Sequence, residues 1–327
     1  MKRLEYGRKL KHKYGLIPII NLPWEAYLCF LTFLFCIIFL LFIPNQVKQL
    51  NIQLLGIFIT SVIAFIMGFA DDAYNTQPMI KFLSQVLCGL VLSFTGHSIQ
   101  ITQHPTLNYL LTVFWVVFIM NAINLLDNMD GVVALISLVI CIFFTLISYQ
   151  RYGLWNIEFL LSLGLIGSIS GFLIYNFHPS KIFMGDSGSQ FLGLILACFS
   201  IDLLLSTKIN EIEFQWQNFF KQSIPAILLF IAPVSDTAIV FMKRISKGCS
   251  PFIGGRDHTT HALYSRGFKV GWVSILYAII TVLGGYLAYV IHTNSNSSML
   301  SFAIIYFISV FTALFLLTLF HKQETHV

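Results

Sequence analysis

Three short polar stretches interrupt an otherwise apolar chain, and each carries oxygen donors. Adjacent carboxylates, Asp71 and Asp72, follow Gly68-Phe69-Ala70. Asn121, Asn124, Asp127, Asn128 and Asp130 fall among Ile, Leu and Met residues and close on Gly131, and Asp186 stands in Gly185-Asp186-Ser187-Gly188-Ser189. A fourth stretch, Ser250-Pro251-Phe252 followed by Arg256, Asp257, His258 and His261, adds basic donors. Carboxylate and amide oxygens, without a thiolate cluster or a paired-His helix motif, suit a hard cation. Magnesium takes few protein carboxylates and completes its octahedron with water and phosphate oxygens, so a phosphate-bearing substrate goes with it.

Each stretch also has a plainer reading. Asp71-Asp72 is either a solvated helix end or a costly carboxylate pair that a cation shares. Asn121, Asn124 and Asn128 are spaced as neighbours on a helix, where they serve either as ligands or as polar glue between helices. Gly185 to Ser189 opens a helix with small residues, so its free N-H groups can approach an anion, though Asp-Ser-Gly is also an ordinary helix cap. Lys81 either snorkels or contacts a phosphate. His258 and His261, three apart in a basic loop, fit donors to a pyrophosphate or sugar better than zinc ligands.

The elements that carry these residues must be membrane helices. Of 327 residues, 57% are hydrophobic and 10% charged, with a mean hydropathy of +0.81, a balance that excludes a soluble domain. The apolar runs are long and continuous rather than alternating, which excludes a barrel. The fold class is all-α, a polytopic integral membrane protein of about ten spans. Hydropathy places them at 24-43, 52-70, 79-96, 107-126, 131-149, 158-176, 188-206, 223-242, 269-292 and 300-320. Residues 1-23 form a basic arm, 24-320 one transmembrane catalytic domain with the histidine segment in the 243-268 loop, and 321-327 a tail. Six scattered cysteines, with no CxxC pair, indicate neither a disulfide framework nor a zinc site.

Of the Lys and Arg residues, 15 fall in one alternating set of loops and four in the other. The positive-inside rule therefore puts the first set and both termini in the cytoplasm. The ends of the second and fourth spans, the loop before the seventh and the 243-268 loop then share that face. Transporters instead hold their acids near the midplane, and only Asp202 and Asp236 lie well inside spans.

In order and spacing, these motifs resemble the polyprenyl-phosphate N-acetylhexosamine-1-phosphate transferases of the glycosyltransferase family 4 type. The bacterial undecaprenyl-phosphate N-acetylglucosamine-1-phosphate transferase branch is the nearest likeness. The resemblance implies transfer of a sugar 1-phosphate, GlcNAc-1-phosphate by choice, from a UDP-N-acetylhexosamine to undecaprenyl phosphate. UMP is released, and the product is the lipid-linked first sugar of a cell-envelope polysaccharide. It implies magnesium, with manganese as a substitute, held by Asp186 and Asn124. Asp71 and Asp72 would hold or deprotonate the lipid phosphate, and Asp127 would join the acidic cluster. Lys81 and Asn121 would bind substrate, Asp130 and Gly131 would lie near the uridine, and Arg256, His258 and His261 would face the pyrophosphate and sugar, with His258 among the catalytic groups.

The chain departs from the family pattern at Asn75, where a third acid is usual, and at Thr260, where a further His is usual. Family members also carry one more helix before the basic loop that Arg8-Lys9-Leu10-Lys11-His12 resembles. The expected setting is the bacterial inner membrane, with membrane lipid and a second copy of the chain as partners and no nucleic acid. The alternatives are a polytopic transporter or an N-terminally shortened inactive member.

Overall fold

A computed structural model describes residues 24-41, 51-154, 156-206, 216-248, 257-293 and 297-319. The expected basic arm, the tail and Arg256, with the Ser250-Pro251-Phe252 segment, lie outside the described residues. Twelve helices run through the rest: α1 (Trp24–Leu41), α2 (Asn51–Tyr74), α3 (Pro78–Phe94), α4 (Pro105–Leu126), α5 (Val132–Tyr152), α6 (Ile157–Asn176), α7 (Gly185–Ser200), α8 (Trp216–Leu229), α9 (Ile231–Ser246), α10 (Thr259–Ser265), α11 (Val270–Thr293) and α12 (Ser297–Leu319). No strand occurs among the described residues.

Helices occupy all ten expected positions. Among the described residues, seven are long and apolar enough to cross a membrane, and the α8-α9 pair makes an eighth if taken as one span. By that criterion the count is seven or eight rather than ten. The chain is a multi-pass membrane protein.

The expected span at 223-242 is broken: α8 and α9 meet at an angle of 85°. The cause is Pro233. Its ring would collide with the Leu229 carbonyl in a continuous helix, and it offers no N-H. The chain therefore ends α8 at Leu229 and restarts, leaving Pro233 in the first turn of α9, where a missing donor costs nothing. Pro78 and Pro105 open α3 and α4 by the same logic.

The axis of the bundle is α7, which continues through a π-helical turn, Ile201–Leu205. Its span is 94% buried, against 17% to 67% for the other six. Gly185, Ser187, Gly188, Ser189, Gly193 and Ala197 keep it slender, so α2 and α4 pack closely along it, with α1 and α5 completing the surround. Gly68 is where α2 meets the start of α7: a Cβ there would lie 2.4 Å from the Asp186 carbonyl oxygen and 2.4 Å from Ser187 Cα. Backbone atoms cannot rotate away. Gly68→Ala should therefore destabilise the protein by about 1–3 kcal/mol, read as a lower thermal midpoint in detergent. An unchanged midpoint would mean that α2 and α7 slide past one another freely.

At the bundle end away from Asp186, His97 in the α3-α4 connection closes the structure. Its Nδ1 lies 2.8 Å from Asp202 Oδ2 and its Nε2 lies 3.0 Å from the Gln53 carbonyl. Burial alone would lower the imidazole pKa, but Asp202 and Cys198 outweigh it and hold it well above the ordinary value. Asp202, one of the two acids well inside spans, thus has a structural ion-pair partner.

Candidate active site

The two acids that end α2 do different things. Asp72 accepts hydrogen bonds from the backbone N-H of Asp186 (2.8 Å) and of Ser187 (2.9 Å), and from the Ser187 hydroxyl (2.6 Å). A carboxylate at a helix N-terminus satisfies two orphan donors and complements the helix dipole. Two of the free amides that the sequence offers to an anion are taken by the chain's own Asp72. That residue, expected to hold or deprotonate the lipid phosphate, here fixes the start of α7.

Asp71 faces the other way. Its Oδ1 accepts from the Thr76 N-H (2.9 Å) and hydroxyl (2.7 Å), and its Oδ2 from Lys81 Nζ (2.9 Å). Asn75, where the family has a further acid, takes a positive φ of 52° in the turn that delivers Thr76 and α3. The Lys81 ammonium also donates to Asp186 Oδ1 (2.9 Å) and Asn124 Oδ1 (3.1 Å). Lys81 was expected at a phosphate or snorkelling; it sits at the centre of the acid cluster. Three oxygens from α2, α4 and α7 thus converge on one cationic atom. Asn124 also donates from Nδ2 to Asp186 Oδ1 and to Ser189 Oγ (2.8 Å), which locks its amide.

That convergence tests the fit of a metal. All three groups are hard oxygen donors, the Lys81 nitrogen marks a point all three reach, and one further charge from Asp127 lies nearby. The donor set suits magnesium and offers nothing to a thiophilic metal.

Asp127 ends α4, half-buried, with its N-H on the Asn124 carbonyl (3.3 Å). Burial, reinforced by the negative charges of Asp186, Asp72 and Asp130, pushes its carboxyl up to about 7. An acid whose pKa is raised by folding favours the fold while protonated, and its charge counts against the fold as pH rises from its unfolded value to 7. In metal-free protein, Asp127→Asn should raise the thermal midpoint at pH 8 and lose that advantage near pH 4. An equal gain at both pH values would mean that the Asp127 charge is not strained.

Asp130 and Gly131 shape the adjoining loop. Asp130 Oδ2 accepts from His178 Nδ1 (2.8 Å) and from the Ser180 N-H (3.2 Å), and its backbone carbonyl accepts from Ser274 Oγ (2.8 Å). Burial alone would raise this carboxyl, but the His178 and Ser180 contacts hold it below the usual value. Gly131, at φ +74°, turns the chain from α4 into α5 and donates its N-H to Asn176 Oδ1 (3.1 Å). Both residues, expected beside the uridine, organise the segment that leads into α7.

Asn121 lies deeper. It donates to Gln85 Oε1 (2.7 Å) and to the Val117 carbonyl (2.8 Å), while Gln85 also donates to Gln190 Oε1 (3.0 Å). This amide ladder joins α3, α4 and α7, and Asn121, expected to bind substrate, here links neighbouring helices. Asn128 accepts from Thr260 Oγ (2.7 Å), which ties α10 to the acidic loop. Helix α10 brings His258 and His261 there, their rings 6.1 Å apart. At seven residues it was too short to emerge from the basic loop in the sequence. The contributions of Thr76, Gln85, His178, Ser187 and Thr260 were missed, because each depends on a partner brought in by the packing.

Residues 54–204 match glycosyl transferase family 4. That range holds every acid and amide of the cluster and leaves the histidine segment outside. Over 227 residues, covering 66% of this chain and 60% of the relative, the chain is 33% identical to the probable undecaprenyl-phosphate N-acetylglucosaminyl 1-phosphate transferase of Bacillus subtilis. It is 32% identical, over 61% of its length and 55% of the relative, to the decaprenyl-phosphate N-acetylglucosaminephosphotransferase of Mycobacterium leprae. Identity to the phospho-N-acetylmuramoyl-pentapeptide-transferase of Carboxydothermus hydrogenoformans is 31%, over 50% of this chain and 60% of the relative. The chain spans three fifths or less of the length of these curated relatives.

Proposed function

We propose that this chain, residues 54–204 of which match glycosyl transferase family 4, transfers an N-acetylhexosamine 1-phosphate, with GlcNAc as the sugar, from a UDP-sugar to undecaprenyl phosphate. UMP leaves, and the product is the lipid-linked first sugar of a cell-envelope polysaccharide. The observation that carries this reading is the meeting of Asp71, Asn124 and Asp186 oxygens on one cationic position. The names of the relatives supply the polyprenyl phosphate and the amino sugar. The excess of Lys and Arg in one set of loops supports a cytoplasmic face for the site and an inner-membrane setting, and a homodimer is the family expectation.

In the reaction an oxygen of the acceptor phosphate attacks the β-phosphorus of the UDP-sugar, and the bond from that phosphorus to the bridging oxygen breaks. Asp186 and Asn124 would hold magnesium, which would supply positive charge to neutralise the pyrophosphate oxygens. Asp72 and Ser187 fix the turn that presents Asp186. Asp71, fastened by Thr76, holds the Lys81 ammonium at the edge of the same space. His258, His261 and Arg256 are assigned to the phosphate and sugar oxygens. Against the transporter alternative, the two acids well inside the spans are both paired, Asp202 with His97 and Asp236 with His258.

The test uses detergent-solubilised protein with undecaprenyl phosphate, a panel of UDP-N-acetylhexosamines and magnesium, scoring UMP release with and without EDTA. EDTA-sensitive release with UDP-GlcNAc is expected. Release with a different donor alone would replace the sugar, and no release from folded protein with any donor would overturn the reading.

A further inference from the structure

Asp236 is the most deeply buried carboxylate described, with no exposed surface, and nothing in the reaction above uses it directly. An ionisable group placed in a membrane helix is costly and calls for a function. Both of its oxygens are engaged. Oδ2 accepts from His258 Nδ1 (2.8 Å), and Oδ1 accepts from the Thr259 N-H (2.8 Å) and from the Thr259 hydroxyl. The Thr259 hydroxyl is in turn bonded to the Tyr277 hydroxyl of α11. The bend at Phe230 is what sets Asp236 here, in the second turn of α9 and facing the start of α10.

The consequence falls on His258. A carboxylate only accepts, so the His258 nitrogen that faces Asp236 carries the proton. The ring is 5% exposed and held at the first residue before α10, with its Nε2 unpartnered among the described residues. Thr260 anchors the same short helix to Asn128, beside Asp127 and Asp130. The imidazole is thus fixed in tautomer and in place at the acidic end of the bundle. The charged and titratable groups around this pair are Lys243 and Arg244 of α9, Asp257 and His261 flanking His258, and Tyr277 of α11.

We infer that Asp236 is a positioning residue, which holds His258 through its protonated Nδ1 so that Nε2, which donates to phosphoryl oxygens as the imidazolium, is presented to the phosphoryl group in transfer. The inference rests on the transferase reading. The competing account is a structural staple, in which Asp236 only fastens α10 through Thr259.

The kinetic test is a double-mutant cycle on UMP release by the full chain, with thermal midpoints recorded alongside. Asp236→Asn should lower kcat about 10- to 100-fold with little change in KM. In a His258→Gln background it should cost nothing further, because its route to the substrate is already gone. Thr259→Val, which removes a staple contact and leaves the imidazole contact, should keep kcat within about 3-fold. Multiplying losses in the double mutant, or a Thr259→Val loss equal to that of Asp236→Asn, would establish the staple and overturn the inference. A second measurement does not need the aspartate variant to fold. In 15N-histidine-labelled wild-type protein, the ring signals lost in His258→Gln should show a protonated Nδ1, and a bare Nδ1 would overturn the inference. Should wild-type protein release no UMP, the transferase reading fails on its own, and the Nδ1 measurement still decides whether Asp236 sets the imidazole.

Discussion

Asp186→Asn is expected to lower turnover by about 10³-fold, to near background, while leaving the protein folded. The carboxylate stands in the first turn of α7, and its side chain is a third exposed. It is held by Lys81 at 2.9 Å and by Asn124 rather than by core packing. Asparagine keeps the shape, and the Asp186 N-H that caps onto Asp72 is a backbone group, so the seating of α7 is untouched. What is lost is one negative charge at the point where the proposed magnesium meets the pyrophosphate. In metal-free protein that charge is attracted by Lys81 and repelled by its neighbours Asp72 and Asp127, so its loss removes opposing contributions. Without metal the variant should therefore melt near the wild-type temperature. UMP release and a melting curve in EDTA check both halves. Full turnover would remove Asp186 from the metal site, and a collapsed melting curve would make it a structural residue.

The sequence made the apolar segments legible, because about twenty hydrophobic residues in a row admit one solution in a bilayer. It also held the break between α8 and α9, in Pro233, which the hydropathy average smoothed over. What it did not hold was the rank of the helices. The small residues of α7 look like a weak span, yet they make it the slender axis on which α2 and α4 close. The acid and amide residues of the site were legible as types, since oxygen donors among Ile and Leu have few uses. Their division of labour was not. Asp71 and Asp72 are adjacent in sequence, but a helix turns about 100° per residue, so one faces Lys81 and the other the start of α7. Asn121 and Asn124 share a helix face, yet only Asn124 reaches the acids, because Gln85 engages Asn121. The Asp236 to His258 contact was hidden in the same way: a seven-residue helix carries the histidine, and the aspartate reaches it only after the chain has bent by 85°.

Lys81→Met is expected to cost both stability and activity, and magnesium should restore part of the first without the second. The ammonium is the one described cation contacting the acid cluster, with Asp71 and Asp186 each at 2.9 Å and side-chain exposures of 12% and 33%. Removing one partner leaves the other charges desolvated and unpaired, a loss of about 3 kcal/mol, at the low end of the buried-pair range because Asp186 is partly solvated. Methionine retains the length and apolar stem that α3 packs, so the loss reads the charge rather than a cavity. A cation that binds the folded site but not the unfolded chain stabilises by mass action, by about 2.7 kcal/mol at a hundred times its dissociation constant. In wild-type protein the proposed magnesium would have to displace Lys81 from Asn124 and Asp186, leaving the ammonium on Asp71. In the variant no ammonium competes for those oxygens. The thermal midpoint of Lys81→Met should therefore rise more with added magnesium than that of wild type, and EDTA should reverse the rise. Turnover should stay depressed in magnesium, because the displaced ammonium is the group left to contact phosphate. Equal magnesium shifts in the two proteins would mean that lysine and metal do not share a position, and the proposed magnesium site on Asp186 and Asn124 would then have to be abandoned.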